Sequence, residues 1–119
     1  MCGFCGFALR DVRAPFDRAR LKGMADTLVH RGPDDEGLEG RDGVALGFRR
    51  LSIIDLAGGH QPIWNEASDV AVLCNGEIYN FRELRAELEA QGHTFRTNSD
   101  AETLVHLYEE LGAAFLERL

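Results

Sequence analysis

The first seven residues, Met-Cys-Gly-Phe-Cys-Gly-Phe, place a thiol one residue from the start of the chain. If Met1 is removed, Cys2 carries both a thiol nucleophile and a free α-amine within reach of it. A thiol titrates near about 8.5 and an α-amine near about 7.7 to 8.0, so close to neutrality the amine offers a lone pair that can take the thiol proton. Two plainer readings stand beside this one. Cys2 with Cys5 forms C-x-x-C, the pattern of a redox pair or of half a metal site. Cys2 is also suited to open a buried strand, because free cysteine is among the most buried residue types.

Three later segments add complementary groups. Arg50 stands at the mouth of the apolar run Leu-Ser-Ile-Ile and is a bidentate partner for a carboxylate. Asp100, at a helix start, can accept from an ammonium group, and Glu77 is a second acidic candidate. The Asn75 side-chain amide and the Gly76 backbone N–H are a pair of donors for the oxyanion formed when a thiolate attacks a carboxamide. Together they would suit a small amino acid that bears an amide. Taken singly, each has a structural explanation: Arg50 as a surface cation beside Arg49, Asp100 as a helix cap, and Asn75-Gly76 as a hairpin turn that readily takes positive φ.

The elements that must position these groups are legible from pattern. Residues 2–9 read as a central strand covered on both faces, with Gly3 and Gly6 permitting close approach of other backbone. Pro15 suits a helix start, and Leu21, Met24, Ala25, Leu28 and Val29 share one helical face that runs to about His30. His30-Arg31-Gly32-Pro33-Asp34-Asp35-Glu36-Gly37 reads as an ordered loop, with His30 ordering it, feeding a strand that turns at residues 40–43 into a partner at 44–48. Residues 57–69 lack periodicity and read as loop anchored by Trp64, 70–74 as a buried strand, and 81–91 as a helix with Leu84 and Leu88 inward and Gly92 as its stop. Phe95 marks a short strand. Asn98-Ser99-Asp100 followed by Glu102 signals a helix with Leu104, Val105, Leu107, Tyr108 and Leu111 buried, broken at Gly112; residues 113–119 begin another, amphipathic helix. The order predicts a mixed fold of helices packed on sheet, with too few strands to complete it.

Composition excludes several classes. With 119 residues, 45% apolar and 28% charged, the chain has the make-up of one soluble globular domain. Thirteen Lys and Arg against twenty Asp and Glu give −7, which argues against nucleic acid or an anionic membrane as partner. No run approaches the roughly 18 apolar residues of a membrane span, and no basic segment leads into an apolar one, so the expected location is cytoplasmic. Three cysteines do not make a disulfide framework and fit reduced thiols. Cys5 and Cys74 sit in apolar patterns and are expected to be inert packing residues. A zinc site from Cys2, Cys5, His30 and His60 lacks a second close ligand pair, and His93 and His106 have no spacing that argues for a role, so no metal site is expected.

The stretches MCGFCGF, HRGPDDEG, RRLSIIDL, HQPIWN, NGEIYNFRELRAELEAQGHTF and SDAE, in this order and spacing, closely resemble the N-terminal glutaminase domain of the glutamine-hydrolysing asparagine synthetases. The resemblance covers essentially all of residues 1–119. It implies a class II, N-terminal-nucleophile amidotransferase domain of the α+β class, a four-layer αββα sandwich that is incomplete here. It implies that Cys2 attacks the side-chain amide of L-glutamine, releasing ammonia and leaving a glutamyl thioester that water hydrolyses. It assigns Arg50 to the substrate carboxylate, Asp100 and Glu77 to its α-amino end, the backbone of Leu51, Ser52, Ile53 and Ile54 to the pocket wall, and Asn75 with Gly76 to the oxyanion hole.

In that family a synthetase domain follows, with a Ser-Gly-Gly-x-Asp-Ser loop that binds ATP and Mg2+ and converts aspartate to asparagine with the ammonia received. No Ser-Gly-Gly occurs here, so no cofactor is expected in this chain, and ATP and Mg2+ belong to the synthetase partner domain. Ala101 replaces a larger residue usual after Ser-Asp. The chain is read as truncated, with pairing of two copies left open. The alternative is a truncated or split non-catalytic remnant that acts only as a binding piece beside a complementary chain.

Overall fold

The computed structural model describes residues 1–51 and 59–119, which divide into two units, one of residues 1–51 with 60–62 and the other of residue 59 with 63–119. Each combines sheet with helix, so the α+β class expected from the sequence is the class observed.

The first unit is a three-stranded antiparallel sheet in the order β1-β3-β2, from β1 (Gly3–Ala8), β2 (Asp35–Arg41) and β3 (Val44–Arg50). β2 and β3 join through Asp42 and Gly43 at φ 50° and 78°, a two-residue turn whose twist matches that of paired strands. Helix α1 (Arg18–Asp26) starts later than Pro15 because the Asp17 carboxylate caps it, accepting from the Arg20 N–H at 2.9 Å. It ends at Asp26, and Val29 is exposed. Leu21 and Ala25 are fully buried against the sheet, where Gly47 leaves the room: a Cβ there would come within 3.3 Å of Leu21.

β1 does not have the covered, central character its sequence suggested. Among the described residues it pairs with β3 alone, and Phe4, Gly6 and Ala8 form an exposed row. The alternation of burial along the strand leaves one face of β1 open, although Phe48, opposite Phe4 on β3, is buried.

In the second unit, β4 (Ile63–Trp64) and β5 (Ala71–Val72) pair antiparallel around a turn held by Asn65. That side chain is fully buried; its oxygen accepts from the Asp69 and Val70 N–H groups, each at 3.0 Å. A strand pair thus lies where loop was expected at 63–64, and the strand expected over 70–74 is two residues long and half-buried. Helix α2 (Phe81–Ala90) ends as expected at Gly92, whose φ of 105° allows the Gly92 N–H to reach the Glu89 carbonyl and the His93 N–H to reach the Leu88 carbonyl. Leu84 and Leu88 pack with Leu107 of α3 (Glu102–Leu111).

Phe95 forms no strand; its ring lies 4.5 Å from that of His106, with the Arg85 guanidinium 4.4 Å from its centroid. On α3, Leu104, Val105 and Leu107 are buried, but Tyr108 and Leu111 are exposed while Glu102, Thr103 and His106 are buried instead. The inward face is turned toward the polar groups of the 65–70 and 93–97 segments. Residues 112–118 form a 3₁₀ helix with nothing buried, rather than the amphipathic α-helix expected.

Candidate active site

Cys2 immediately precedes β1, and Arg50 closes β3. Gly3 faces Arg49 and Asp35 faces Arg50 in the antiparallel register, so one step further Cys2 comes opposite Arg50. Opposed residues of antiparallel neighbours share a face. Cys2, Arg50 and Asp35 therefore form one row across the end of the sheet. The adjacent row, Gly3, Arg49 and Glu36, belongs to the other face, under α1, where the Arg49 guanidinium lies 2.6 Å from Asp26 and 2.7 Å from Glu36. Lys22 pairs with the same two carboxylates.

The Arg-Arg pair is thus divided by strand alternation. Arg49 is tied into an ion-pair network with the helix, and Arg50 is presented on the face that carries Cys2. Beside it, Asp35 lies 2.9 Å from the His60 ring. Burial acts to raise the Asp35 carboxyl, but the His60 hydrogen bond, the Glu36 amide and the charges of His60 and Arg50 outweigh it and hold the group below its ordinary value.

The same alternation separates the two thiols of C-x-x-C. Cys5 faces Gly47 and points to the α1 side, where burial pushes its thiol up, away from the thiolate form. Cys2 is half-buried on the other side, with its sulfur 4.0 Å from the Leu51 carbonyl oxygen, and Met1 before it is exposed. Its backbone is held by a group the sequence reading passed over. The Arg31 Nε donates to the Cys2 carbonyl at 3.0 Å, across 29 residues.

Arg31 lies in the His-Arg-Gly-Pro-Asp-Asp loop, and His30, expected to order that loop, is exposed. The ordering comes from Arg31 and from Gly32, where a Cβ would stand 2.4 Å from the Arg49 carbonyl carbon and 2.5 Å from the Arg50 nitrogen. Only glycine fits against the backbone that carries Arg50. Of the expected pocket wall, Leu51 is half-buried, and Ser52, Ile53 and Ile54 lie outside the described residues.

The remaining candidates belong to the second unit. Asn75, Gly76 and Glu77 are exposed in irregular backbone after β5. They do not form a hairpin turn, and Gly76 is not among the positive-φ glycines, which removes the turn explanation for Asn75-Gly76. Asp100 is not the cap of α3. Its Oδ2 accepts from the Ile78 N–H at 2.7 Å, docking the start of the helix onto the segment that carries Asn75, Gly76 and Glu77. A side-chain amide, a glycine N–H and two carboxylates are thereby brought to one corner of this unit.

Glu102, 1% exposed, fixes the approach to that corner by accepting from the Arg96 and Thr97 N–H groups, each at 2.7 Å, and from the Thr97 hydroxyl at 2.5 Å. The Ser-x-x-Glu spacing that flags a helix start was the available signal for it; what it binds lies further upstream than a capping box reaches. Among the described residues no helix is long and apolar enough to cross a membrane.

The family model described as a glutamine amidotransferase domain matches residues 1–119. The chain is 48% identical over 121 residues to glutamine-hydrolyzing asparagine synthetase 2 of Bacillus subtilis, an alignment covering 98% of this chain and 16% of the relative. It is 44% identical over 119 residues to the glutamine-hydrolyzing asparagine synthetase of Sandersonia aurantiaca, covering 100% of this chain and 22% of the relative. A second Bacillus subtilis enzyme of the same name, numbered 1, is 48% identical over 110 residues, covering 91% and 17%. The chain spans about a fifth of the length of these relatives or less. The family expected from the motifs is the one found: the chain belongs to the glutamine amidotransferase domain family.

Proposed function

We propose that this chain is the glutamine-hydrolysing portion of an asparagine-synthetase-type amidotransferase, acting through Cys2 as an N-terminal nucleophile. The observation that carries the reading is the row across the sheet end, which sets the Cys2 nucleophile and the Arg50 guanidinium on one face and leaves Cys5 and Arg49 on the other.

With Met1 removed, the α-amine of Cys2 takes the thiol proton, and the thiolate attacks the side-chain amide carbon of L-glutamine. The oxyanion that forms is stabilised by the Asn75 side-chain amide and the Gly76 N–H. Collapse breaks the C–N bond as the ammonium returns its proton to the leaving nitrogen, giving ammonia and a glutamyl thioester. Water, deprotonated by the same amine, attacks the thioester; glutamate leaves and the thiol is restored. Arg50 binds the substrate α-carboxylate, Asp100 and Glu77 bind its α-ammonium, and Leu51 lines the pocket. Arg31 acts as a positioning residue through the Cys2 carbonyl.

In this reading the fold is the four-layer αββα sandwich of N-terminal-nucleophile enzymes, working in the cytoplasm. The ammonia serves a synthetase domain that uses ATP and Mg2+ to convert aspartate to asparagine. The exposed Phe4, on the face of Cys2, is the observation that favours the second reading, a non-catalytic piece that binds a complementary chain. Glutamate release from L-glutamine, measured on chain whose Cys2 N-terminus is verified by mass spectrometry, separates the two. Release that disappears in Cys2→Ala supports the glutaminase. Release that survives it, or none from well-folded chain, overturns it.

A further inference from the structure

His93 and His106 have no spacing that argues for a role, yet the fold brings both rings against the same two carboxylates. His93 is placed just after α2 by the glycine turn at Gly92, and His106 lies on the buried face of α3. The His106 Nδ1 stands 3.2 Å from Glu109 and 3.3 Å from Glu66; the His93 Nδ1 stands 3.6 Å from Glu109 and 3.8 Å from Glu66. One ligand atom from each of the four residues fits within a span of 4.8 Å.

We propose that Glu66, His93, His106 and Glu109 form a binding site for a divalent transition metal of the zinc type, structural in role. Donors around a tetrahedral ion with bonds of about 2.0–2.1 Å stand about 3.3 Å apart, and the four histidine-to-carboxylate separations run from 3.2 to 3.8 Å within a donor span of 4.8 Å. A hydrogen-bonded network accounts for part of the geometry, through the His106 Nδ1 with Glu109 and the His93 Nε2 with Glu110, but leaves the His93 Nδ1 beyond hydrogen-bond reach of both carboxylates it faces. Two imidazoles with two carboxylates are a donor set suited to zinc and its neighbours.

The far sides of the rings fit the same reading. The His93 Nε2 lies 2.9 Å from Glu110, and the His106 Nε2, buried without a hydrogen-bond partner, is turned toward Glu102 at 3.9 Å. Carboxylates in that position orient metal-bound histidines and raise their basicity. Asn65 donates to one Glu109 oxygen at 2.7 Å, leaving the other for the ion, and the Thr94 N–H holds Glu66 at 2.6 Å. Four carboxylates around two rings leave an excess of negative charge that a dication offsets. The ion would tie the turn after β4, the segment after α2 and helix α3 together, and so steady the element that presents Asp100.

The test needs no glutaminase activity, so its failure is distinct from failure of the catalytic reading. The chain is loaded with Zn2+, passed through gel filtration and assayed for bound metal, and the Co2+ form is examined by absorption spectroscopy. The expected result is about one Zn2+ retained per chain, as a closed four-ligand site holds it. The Co2+ form should show a tetrahedral spectrum without the sulfur-to-cobalt charge-transfer band of a cysteine site. Glu66→Gln at an exposed position and His93→Gln at a half-buried one, both checked for folding by circular dichroism, should weaken Zn2+ binding by at least the roughly 10–100-fold that loss of a supporting residue causes. They should also remove the rise in thermal midpoint that Zn2+ produces in the parent chain. Failure to retain Zn2+, a thiolate spectrum, or equal binding by folded variants would overturn the proposal.

Discussion

Replacing Glu102 by Gln tests whether one buried carboxylate organises the approach to Asp100. The side chain is 1% exposed and accepts three hydrogen bonds, one from the Arg96 N–H through one oxygen and two from Thr97 through the other. Glutamine is nearly isosteric but keeps one acceptor oxygen. If that oxygen serves Thr97, its NH2 group meets the Arg96 N–H donor to donor. Hydrogen bonds to charged groups contribute about 1.5–3 kcal/mol each, and an orphaned buried donor costs about 1–3 kcal/mol. Losing one such bond and weakening two others gives a destabilisation of about 2–4 kcal/mol. That is a large part of the roughly 5–15 kcal/mol holding a domain together, and corresponds to a fall in thermal midpoint of about 10–20 °C. Urea titration followed by circular dichroism measures it. A loss below about 1 kcal/mol in a variant with an unchanged m-value would refute the assignment.

Gly37→Ala would place a Cβ 1.7 Å from the Gln61 carbonyl oxygen, a backbone atom that cannot swing aside, and should cost at least the roughly 1–3 kcal/mol typical of overpacking, read as a lowered denaturation midpoint. Asp35, with its carboxyl held below 3.8 in the folded chain, contributes stability that is present above that value and lost as pH falls through the depressed one. Asp35→Asn should therefore lower stability at neutral pH and flatten its decline in acid, seen by thermal melts taken across pH. Asn75→Ala, which removes one oxyanion donor, should reduce glutamine turnover by about 10²–10³ with a smaller change in KM.

Much of the first unit was legible because its signals are local. A run apolar on both faces marked β1 and turn chemistry marked the β2–β3 hairpin, and in the second unit the i, i+4 leucines with Gly92 marked α2. What pattern could not supply was the environment on each face. The apolar row of β1 reads as covered whether or not anything lies over it, and Phe4 is exposed. Arg49 and Arg50 are adjacent identical residues whose division between two faces follows only from the register with Asp35 and Glu36.

Long-range polar contacts were equally invisible. A helix-start pattern around Asp100 allows a cap, whereas its carboxylate reaches 22 residues back to Ile78. Glu66, His93, His106 and Glu109 come from three segments, and only the last two have a spacing that itself suggests proximity. The candidate residues at 52–54 rest on the motif alone.

The most direct test of the central claim, that Cys2 becomes both nucleophile and base once it is the first residue, is a paired rate measurement. Chain with Met1 removed and chain with Met1 retained, each verified by intact mass and matched in fold by circular dichroism, are compared for glutamate formation from L-glutamine. Turnover is expected in the processed chain and essentially none where the nitrogen of Cys2 is still an amide. Equal turnover in both preparations, or none in either, would contradict it.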